Sequence, residues 1–133
     1  MNGNTFAKQV TVVGFAVLLG SCATMASTTP AESGDNVALG QEAYVDGPHV
    51  KPVKILEDSR CPMNARCIWA GRVRLEMQWV RPGGNQTFEL TLGEPHQLAD
   101  GAITLTSVRP EKRTDVEIKP SDYSFSLEFQ GGI

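Results

Sequence analysis

Three segments of this 133-residue chain alternate between apolar and polar side chains, and this pattern limits most strongly how the chain can fold. The clearest runs from Arg72 to Val80, and its inward-facing members are Val73, Leu75, Met77 and Trp79. The others are residues 87–92 and 123–129. A period of two puts alternate side chains on opposite faces of a β-strand, and no helical period fits these residues. The pattern predicts strands with one buried and one solvated face.

Turn residues separate these segments and indicate how they connect. Residues 81–85, Arg-Pro-Gly-Gly-Asn, predict a hairpin between the first two segments, and Asp100-Gly101 predicts a second hairpin that ends near Val108. Weaker strands are expected over residues 37–44 and 50–56, and residues 110–120 are expected to form a loop. About seven strands at this spacing predict an all-β fold, either a small antiparallel β-sandwich or a barrel.

The N-terminus has the organisation of an export signal. An apolar run from Val10 to Leu19 follows a polar start with one charge, Lys8, and is too short to span a bilayer. It ends in Leu19, Gly20, Ser21 and Cys22, which resemble the lipobox of bacterial lipoproteins at every position. The resemblance implies cleavage before Cys22 and acylation of that cysteine, so that several acyl chains hold the mature protein on a membrane. Ordinary secretion with cleavage after Ala26 is the alternative.

This interpretation divides the chain into three parts. Residues 1–21 are the expected lipoprotein signal peptide, residues 22–36 a flexible tether, and residues 37–133 a single β domain. The tether is rich in Ala, Ser, Thr, Pro and Gly, and about 14 such residues would span roughly 20 Å. Ala23 after the lipid-bearing cysteine resembles outer-membrane sorting in Gram-negative lipoproteins. The expected location is therefore extracytoplasmic and membrane-anchored, on the outer membrane facing the periplasm in a Gram-negative host.

Composition and motifs exclude several classes of function. Without residues 1–21 the chain keeps 11 basic and 15 acidic residues, a net charge of −4, and this argues against nucleic-acid binding. No phosphate-cradling glycine loop, His-Glu-x-x-His or Gly-x-Ser-x-Gly is present. His49 and His96 stand beside prolines in turn-like segments, and no general base is expected of them. We therefore expect no catalytic residues, no metal, no cofactor and no enzymatic activity.

Residues 58–71, Asp-Ser-Arg-Cys-Pro-Met-Asn-Ala-Arg-Cys-Ile-Trp-Ala-Gly, are the most distinctive stretch of the mature chain. In an oxidising compartment Cys61 and Cys67 are close enough in sequence to pair, so we predict one disulfide. It would shape a tight connection between two strands, with Trp69 covering one end of the core. The pattern is similar to that of small, functionally uncharacterised bacterial secreted proteins and lipoproteins, more weakly from about Leu39 to Phe129. That resemblance supports the disulfide and the β fold and implies no activity.

Three other interpretations of this stretch remain open. Cys61, Met63 and Cys67, with His49 or His96, offer thiolate, thioether and imidazole ligands to a soft metal such as Cu(I). A disulfide-closed loop that carries Arg66 could inhibit a trypsin-like protease through its preorganised backbone. Thiol–disulfide exchange is disfavoured, because it typically uses Cys-x-x-Cys and five residues separate these cysteines.

Basic residues are concentrated in the same region of an otherwise acidic chain. Five arginines fall within 22 residues: Arg60, Arg66, Arg72, Arg74 and Arg81. They are either solubilising charges paired with Glu76 and Glu89, or a surface that binds an anionic envelope component or an acidic protein by bidentate pairing. The sequence thus predicts a lipid-anchored envelope protein that acts as a binding or structural accessory module.

Overall fold

The computed structural model describes Gly14 and residues 34–131. This part of the chain contains eight β-strands: β1 (Val37–Ala38), β2 (Ala43–Tyr44), β3 (His49–Asp58), β4 (Val73–Val80), β5 (Gln86–Thr91), β6 (Pro95–Leu98), β7 (Gly101–Arg109) and β8 (Ser124–Gly131). A short 3-10 helix, Pro120–Asp122, precedes β8. Apart from Gly14, the predicted signal peptide lies outside the described residues, as do Cys22, the predicted lipid attachment point, and most of the predicted tether.

The strands form two antiparallel sheets of four strands each. Sheet A has the order β2-β3-β4-β5, and sheet B has the order β1-β8-β7-β6. Inward-facing residues of both sheets share one hydrophobic core, and the sheets are not closed into a barrel. The predicted all-β fold is therefore confirmed as a β-sandwich, with eight strands where about seven were expected.

The core contains the side chains that the alternation assigned to the inner face. Val73, Leu75 and Met77 of β4 are fully buried, while the intervening residues are partly exposed. Phe125, Leu127 and Phe129 of β8 face them from sheet B. Each such side chain contributes about 1.5–3 kcal/mol when removed from water, so these two strands supply much of the apolar burial.

The expectation of one strand over residues 37–44 is wrong. β1 pairs with β8 in sheet B and β2 with β3 in sheet A, so the chain changes sheets between them. Gly40 makes this crossing possible, because its φ of +82° suits glycine and its amide donates to the carbonyl of Pro52 at 2.7 Å. The folded body also begins earlier than expected, since the Leu127 amide donates to the carbonyl of Gly34, which was assigned to the tether.

The sandwich has two distinct ends. At one, β3 ends opposite the start of β4, and β7 ends opposite the start of β8. We call this the Cys-loop end, because it carries the Cys loop (residues 59–72) and the β7–β8 loop (residues 110–119). The other is the cleft end, where His49 pairs with Val80 and Gly101 with Gly131.

Candidate functional site at the Cys-loop end

The Cys loop is closed by the predicted disulfide between Cys61 and Cys67, with Cα atoms 5.8 Å apart. At its base the Ser59 amide donates to the carbonyl of Arg72, and the Cys61 amide donates to that of Ala70. The chain-entropy account gives about 2 kcal/mol for closing so short a loop. The disulfide therefore holds the tip of a connection whose base already continues the β3–β4 pairing.

An ion pair anchors the loop to the sandwich. The Asp58 carboxylate accepts hydrogen bonds from Nε and Nη2 of Arg60 at 2.8 and 2.9 Å and from the Tyr123 hydroxyl at 2.8 Å. The two charged side chains are only 8% and 13% exposed. Arg60 Nη1 also donates to the Val108 carbonyl in sheet B at 3.0 Å. Asp58, the last residue of β3, and Arg60 are thereby joined to β7 and to Tyr123, the residue that precedes β8.

The protonation of this cluster follows from its contacts. Burial opposes ionisation of Asp58, but hydrogen bonds from Arg60 and Tyr123 outweigh it and hold the pKa of the carboxyl below its ordinary value. Burial and the bond to Asp58 raise the pKa of the Tyr123 hydroxyl to about 12. Asp58 is therefore an anion and Tyr123 a neutral donor at neutral pH. Both are committed to holding the loop, and neither is suited to proton transfer.

The β7–β8 loop supports the Cys loop from one side. The Met63 amide donates to the Lys112 carbonyl at 2.8 Å, and Lys112 Nζ donates to the Asp58 carbonyl at 2.7 Å. Asn64 and Thr114 exchange two hydrogen bonds, of 2.8 and 3.0 Å. These contacts hold the Cys loop before the disulfide, at Asp58, and within the disulfide ring, at Met63 and Asn64. Together with the disulfide and the Cys61–Ala70 hydrogen bond, they give the exposed side chains a preorganised backbone.

Large apolar side chains project from this end into solvent. Ile68 is 92% exposed, Trp69 82%, Met63 63% and, on the β7–β8 loop, Val116 55%. The expectation that Trp69 covers the core is therefore wrong. β4 begins only at Val73, so residues 68–71 lie beyond the end of the sheet, and it is Trp79, inside β4, that packs against the core.

The structure does not bring the five arginines into one surface. Arg60 is largely buried in its pair with Asp58, and Arg81 lies at the cleft end with its guanidinium 4.5 Å from the Trp79 ring centre. Arg72 and Arg74 both contact Glu57, and Arg74 also contacts Glu89 at 2.8 Å. Arg66 is exposed on the Cys loop. Of the two glutamates expected to pair with these arginines, Glu89 does so, and Glu57 takes the place expected of Glu76.

The ligands required for soft-metal binding are not assembled. The disulfide occupies both thiols, and His49 lies at the opposite end of the sandwich. Across residues 34–131 no three His, Cys, Asp or Glu side chains are grouped to hold a metal ion. The other histidine, His96, stacks on Phe88 with ring centres 4.9 Å apart.

Sequence reasoning missed the anchoring roles of Asp58, Tyr123 and Lys112. A local signal existed for the first, because Asp58 and Arg60 are two residues apart and opposite in charge. Tyr123 and Lys112 are more than 50 residues away in sequence from the groups they bind, and no local pattern points to their contacts.

No helix in the described part of the chain has the length and apolar character needed to cross a membrane. Comparison of the chain with protein-family models, with curated proteins and with solved structures found no match.

Proposed function

We propose that this protein is a lipid-anchored extracytoplasmic interaction module that binds a protein partner through the Cys-loop end. The observation that carries the proposal is the exposure of Ile68, Trp69 and Met63 on a loop held by a disulfide and by hydrogen bonds. Keeping Trp and Ile in water is unfavourable, and tryptophan is enriched among the residues that dominate binding energy. A preorganised loop also loses little conformational freedom on binding.

The expected partner surface is an apolar concavity with acidic groups at its edge. Ile68 and Trp69 would enter the concavity, and exposed Arg66 would meet the acidic groups. An anionic polymer bound through arginines alone is less well supported, because Arg60, Arg72 and Arg74 are already paired with carboxylates. Burying the apolar side chains, and not neutralising the arginines, is the favoured source of affinity.

A lipid surface is a poorer occupant of the Cys-loop end than a protein. The adjoining β7–β8 loop carries three acidic residues, Glu111, Asp115 and Glu117, and three basic ones, Lys112, Arg113 and Lys119, so it offers no net charge to anionic headgroups. β1 is antiparallel to β8, and the chain before it runs past Leu127 toward the cleft end. The first described residues of the domain, 34–36, thus enter the sandwich from the side of the cleft end.

Affinity capture from envelope extracts of the native host tests the proposal. The full chain would carry Ile68→Ser and Trp69→Ser together, compared with wild type and with a matched control, Tyr44→Ser and Val53→Ser. The control residues are also large, apolar and exposed, but they lie on β2 and β3. Loss of a partner with the first pair alone is the expected result. Retention of every wild-type partner by that variant would refute the proposal.

Arg72→Glu with Arg74→Glu separates the two kinds of surface. We expect the partner to be retained by this variant, because these arginines are paired with Glu57 and Glu89. Selective loss would favour the anionic-partner alternative.

The anchor has its own test, since the intact mass of protein purified from membranes reports signal removal and acylation at Cys22 together. An unprocessed cytosolic form would contradict the anchor and leave the Cys-loop surface to be judged by capture.

A further inference from the structure

The cleft end of the sandwich contains a second site with different chemistry. A cleft of about 500 Å³ opens there, a volume within the range of small-molecule sites. Its apolar lining includes Trp79, Val80, Pro82 and Phe129. Three charged residues on separate turns also line it: Asp46 after β2, Arg81 after β4 and Asp100 between β6 and β7.

The Arg81 side chain contacts the Trp79 ring and has no acidic partner in the described part of the chain. Its guanidinium lies over the Trp79 ring, 4.5 Å from the ring centre, and the side chain makes no ion pair within residues 34–131. The contact with the ring does not use up the N–H donors of the guanidinium as an ion pair would, and such donors match a carboxylate in bidentate geometry. The stack thus fixes the position of a cation without neutralising it.

The two carboxylates of the cleft are also uncommitted. Neither the Asp46 nor the Asp100 side chain has a hydrogen-bond or ion-pair partner in the described part of the chain, whereas Asp58, Glu57 and Asp115 at the Cys-loop end are all paired with arginines. Asp46 lies on a turn of sheet A and Asp100 on a turn of sheet B, and both line the same cleft as Arg81. One cleft therefore offers an unpaired cation and unpaired anions beside an apolar wall.

We propose that this cleft binds a small zwitterion of the amino-acid type. Its carboxylate would pair with Arg81, its ammonium group with Asp46 or Asp100, and its side chain would cover the apolar lining between Pro82 and Phe129. Two carboxylates beside one arginine disfavour a phosphate or other polyanion. A neutral polyol would leave these charges without counter-charges. A sugar ring would also need a free face of Trp79 to stack on, and Arg81 already covers one.

The two tryptophans make the test direct, because Trp79 lines the cleft and Trp69 lies at the other end. In the full chain carrying Trp69→Phe, Trp79 is the sole tryptophan and reports the cleft by its emission. Titration with L-leucine is expected to change that emission saturably. Propionate and isoamylamine, which keep one charged group each, are expected to bind at least about tenfold more weakly. Calorimetry with the same solutes gives an independent readout.

Substitutions of the charged residues then test which of them bind the ligand. In the same background Arg81→Gln, and separately Asp46→Asn with Asp100→Asn, are each expected to weaken L-leucine about tenfold or more. Asp115→Asn, at the Cys-loop end, should leave it unchanged, and melting curves establish that every variant is folded. Absence of a saturable response to L-leucine overturns the proposal. So does a response that survives Arg81→Gln, equal binding of propionate, or tighter binding of glucose.

Discussion

Arg60 and Asp58 form a largely buried ion pair from residues two positions apart, whereas Arg113 and Asp115, with the same spacing, form theirs in solvent. The side chains of the first pair are 13% and 8% exposed, and those of the second 45% and 60%. The local geometry of the two pairs is similar, so the difference lies in what surrounds them. Only the first pair has Tyr123 and the Val108 carbonyl as additional partners.

This contrast gives a stability prediction. Asp58→Ala should lower the free energy of unfolding by about 3 kcal/mol, because it leaves Arg60 buried without its counter-charge and removes the acceptor of Tyr123. Asp115→Ala should leave it unchanged within error, because exposed pairs contribute little. Urea denaturation of both variants beside wild type measures the difference. Equal midpoints for the two variants would show that the buried cluster does not anchor the Cys loop.

Acid should weaken the same cluster. Burial acts against ionisation of Asp58, yet the bonds from Arg60 and Tyr123 prevail and keep its pKa below the ordinary value of 3.8. A carboxyl with a lowered folded-state pKa stabilises the fold above its unfolded-state pKa, and this contribution is lost as the pH falls through the folded-state pKa. The gap in stability between wild type and Asp58→Asn should thus be constant near neutrality and shrink below 3.8.

Urea midpoints measured from neutral pH down to about pH 2 test this. Glu57 and Asp115 also have lowered pKa values, through hydrogen bonds from Arg72 and Arg113, so wild type alone would not isolate Asp58. Subtracting the Asp58→Asn curve removes their contribution. A gap that stays constant to the lowest pH would rule out Asp58 as a source of the acid response.

The stability of the fold should depend strongly on one tryptophan and hardly at all on the other. Trp79 packs against the core, and Trp79→Ala should lower the free energy of unfolding by about 2–3 kcal/mol. Trp69→Ala should change it by less than about 0.5 kcal/mol, because the side chain stands in water. Acrylamide quenching of the Trp79→Phe and Trp69→Phe proteins provides a second measure, with stronger quenching expected where only Trp69 remains. Stronger quenching of the Trp69→Phe protein, where only Trp79 remains, would instead support the expectation that Trp69 covers the core.

Gly71, the last residue of the Trp-Ala-Gly sequence, should tolerate no side chain. Its φ is +70°, and a Cβ there would overlap the Ser59 carbonyl at the base of the Cys loop. Gly71→Ala is therefore expected to cost about 2–3 kcal/mol, from the strained backbone and the displaced Ser59–Arg72 pairing. Gly83→Ala is the matched control, because a Cβ at that position meets open space. Thermal or urea unfolding showing equal stability for both variants would contradict this account.

Local periodicity and turn residues were sufficient to predict most of the strands and the two hairpins, β4–β5 and β6–β7, but not the pairing of strands distant in sequence. The spacing of Val73, Leu75 and Met77 identified the buried face of β4, because alternation in a strand depends only on neighbouring residues. The same reasoning merged β1 with β2, because it could not detect that Gly40 turns the chain from one sheet to the other. It also left the choice between sandwich and barrel open, since that choice depends on pairings between distant strands.

The candidate site shows the same limit more sharply. The disulfide was predictable from two cysteines close in sequence and an expected oxidising compartment. The burial of Arg60 depends on Tyr123 and Val108, and the exposure of Trp69 depends on where β4 begins. Both are properties of the assembled end of the sandwich. An exposed arginine surface was therefore a reasonable expectation from sequence, and an apolar one could only be found in three dimensions.

The strand order also bears on how the chain reaches this fold. Sheet A is formed by the continuous segment from β2 to β5 and most of sheet B by that from β6 to β8, so nearly all strand pairs join neighbours in sequence. Hairpins between neighbours close small loops, and topologies rich in such contacts fold faster than those that rely on distant pairings. β1 is the exception, since it is the first strand in sequence and pairs with β8, the last one in the described part of the chain. Its docking must await β8, so newly synthesised chain can assemble sheet A before the edge of sheet B is completed.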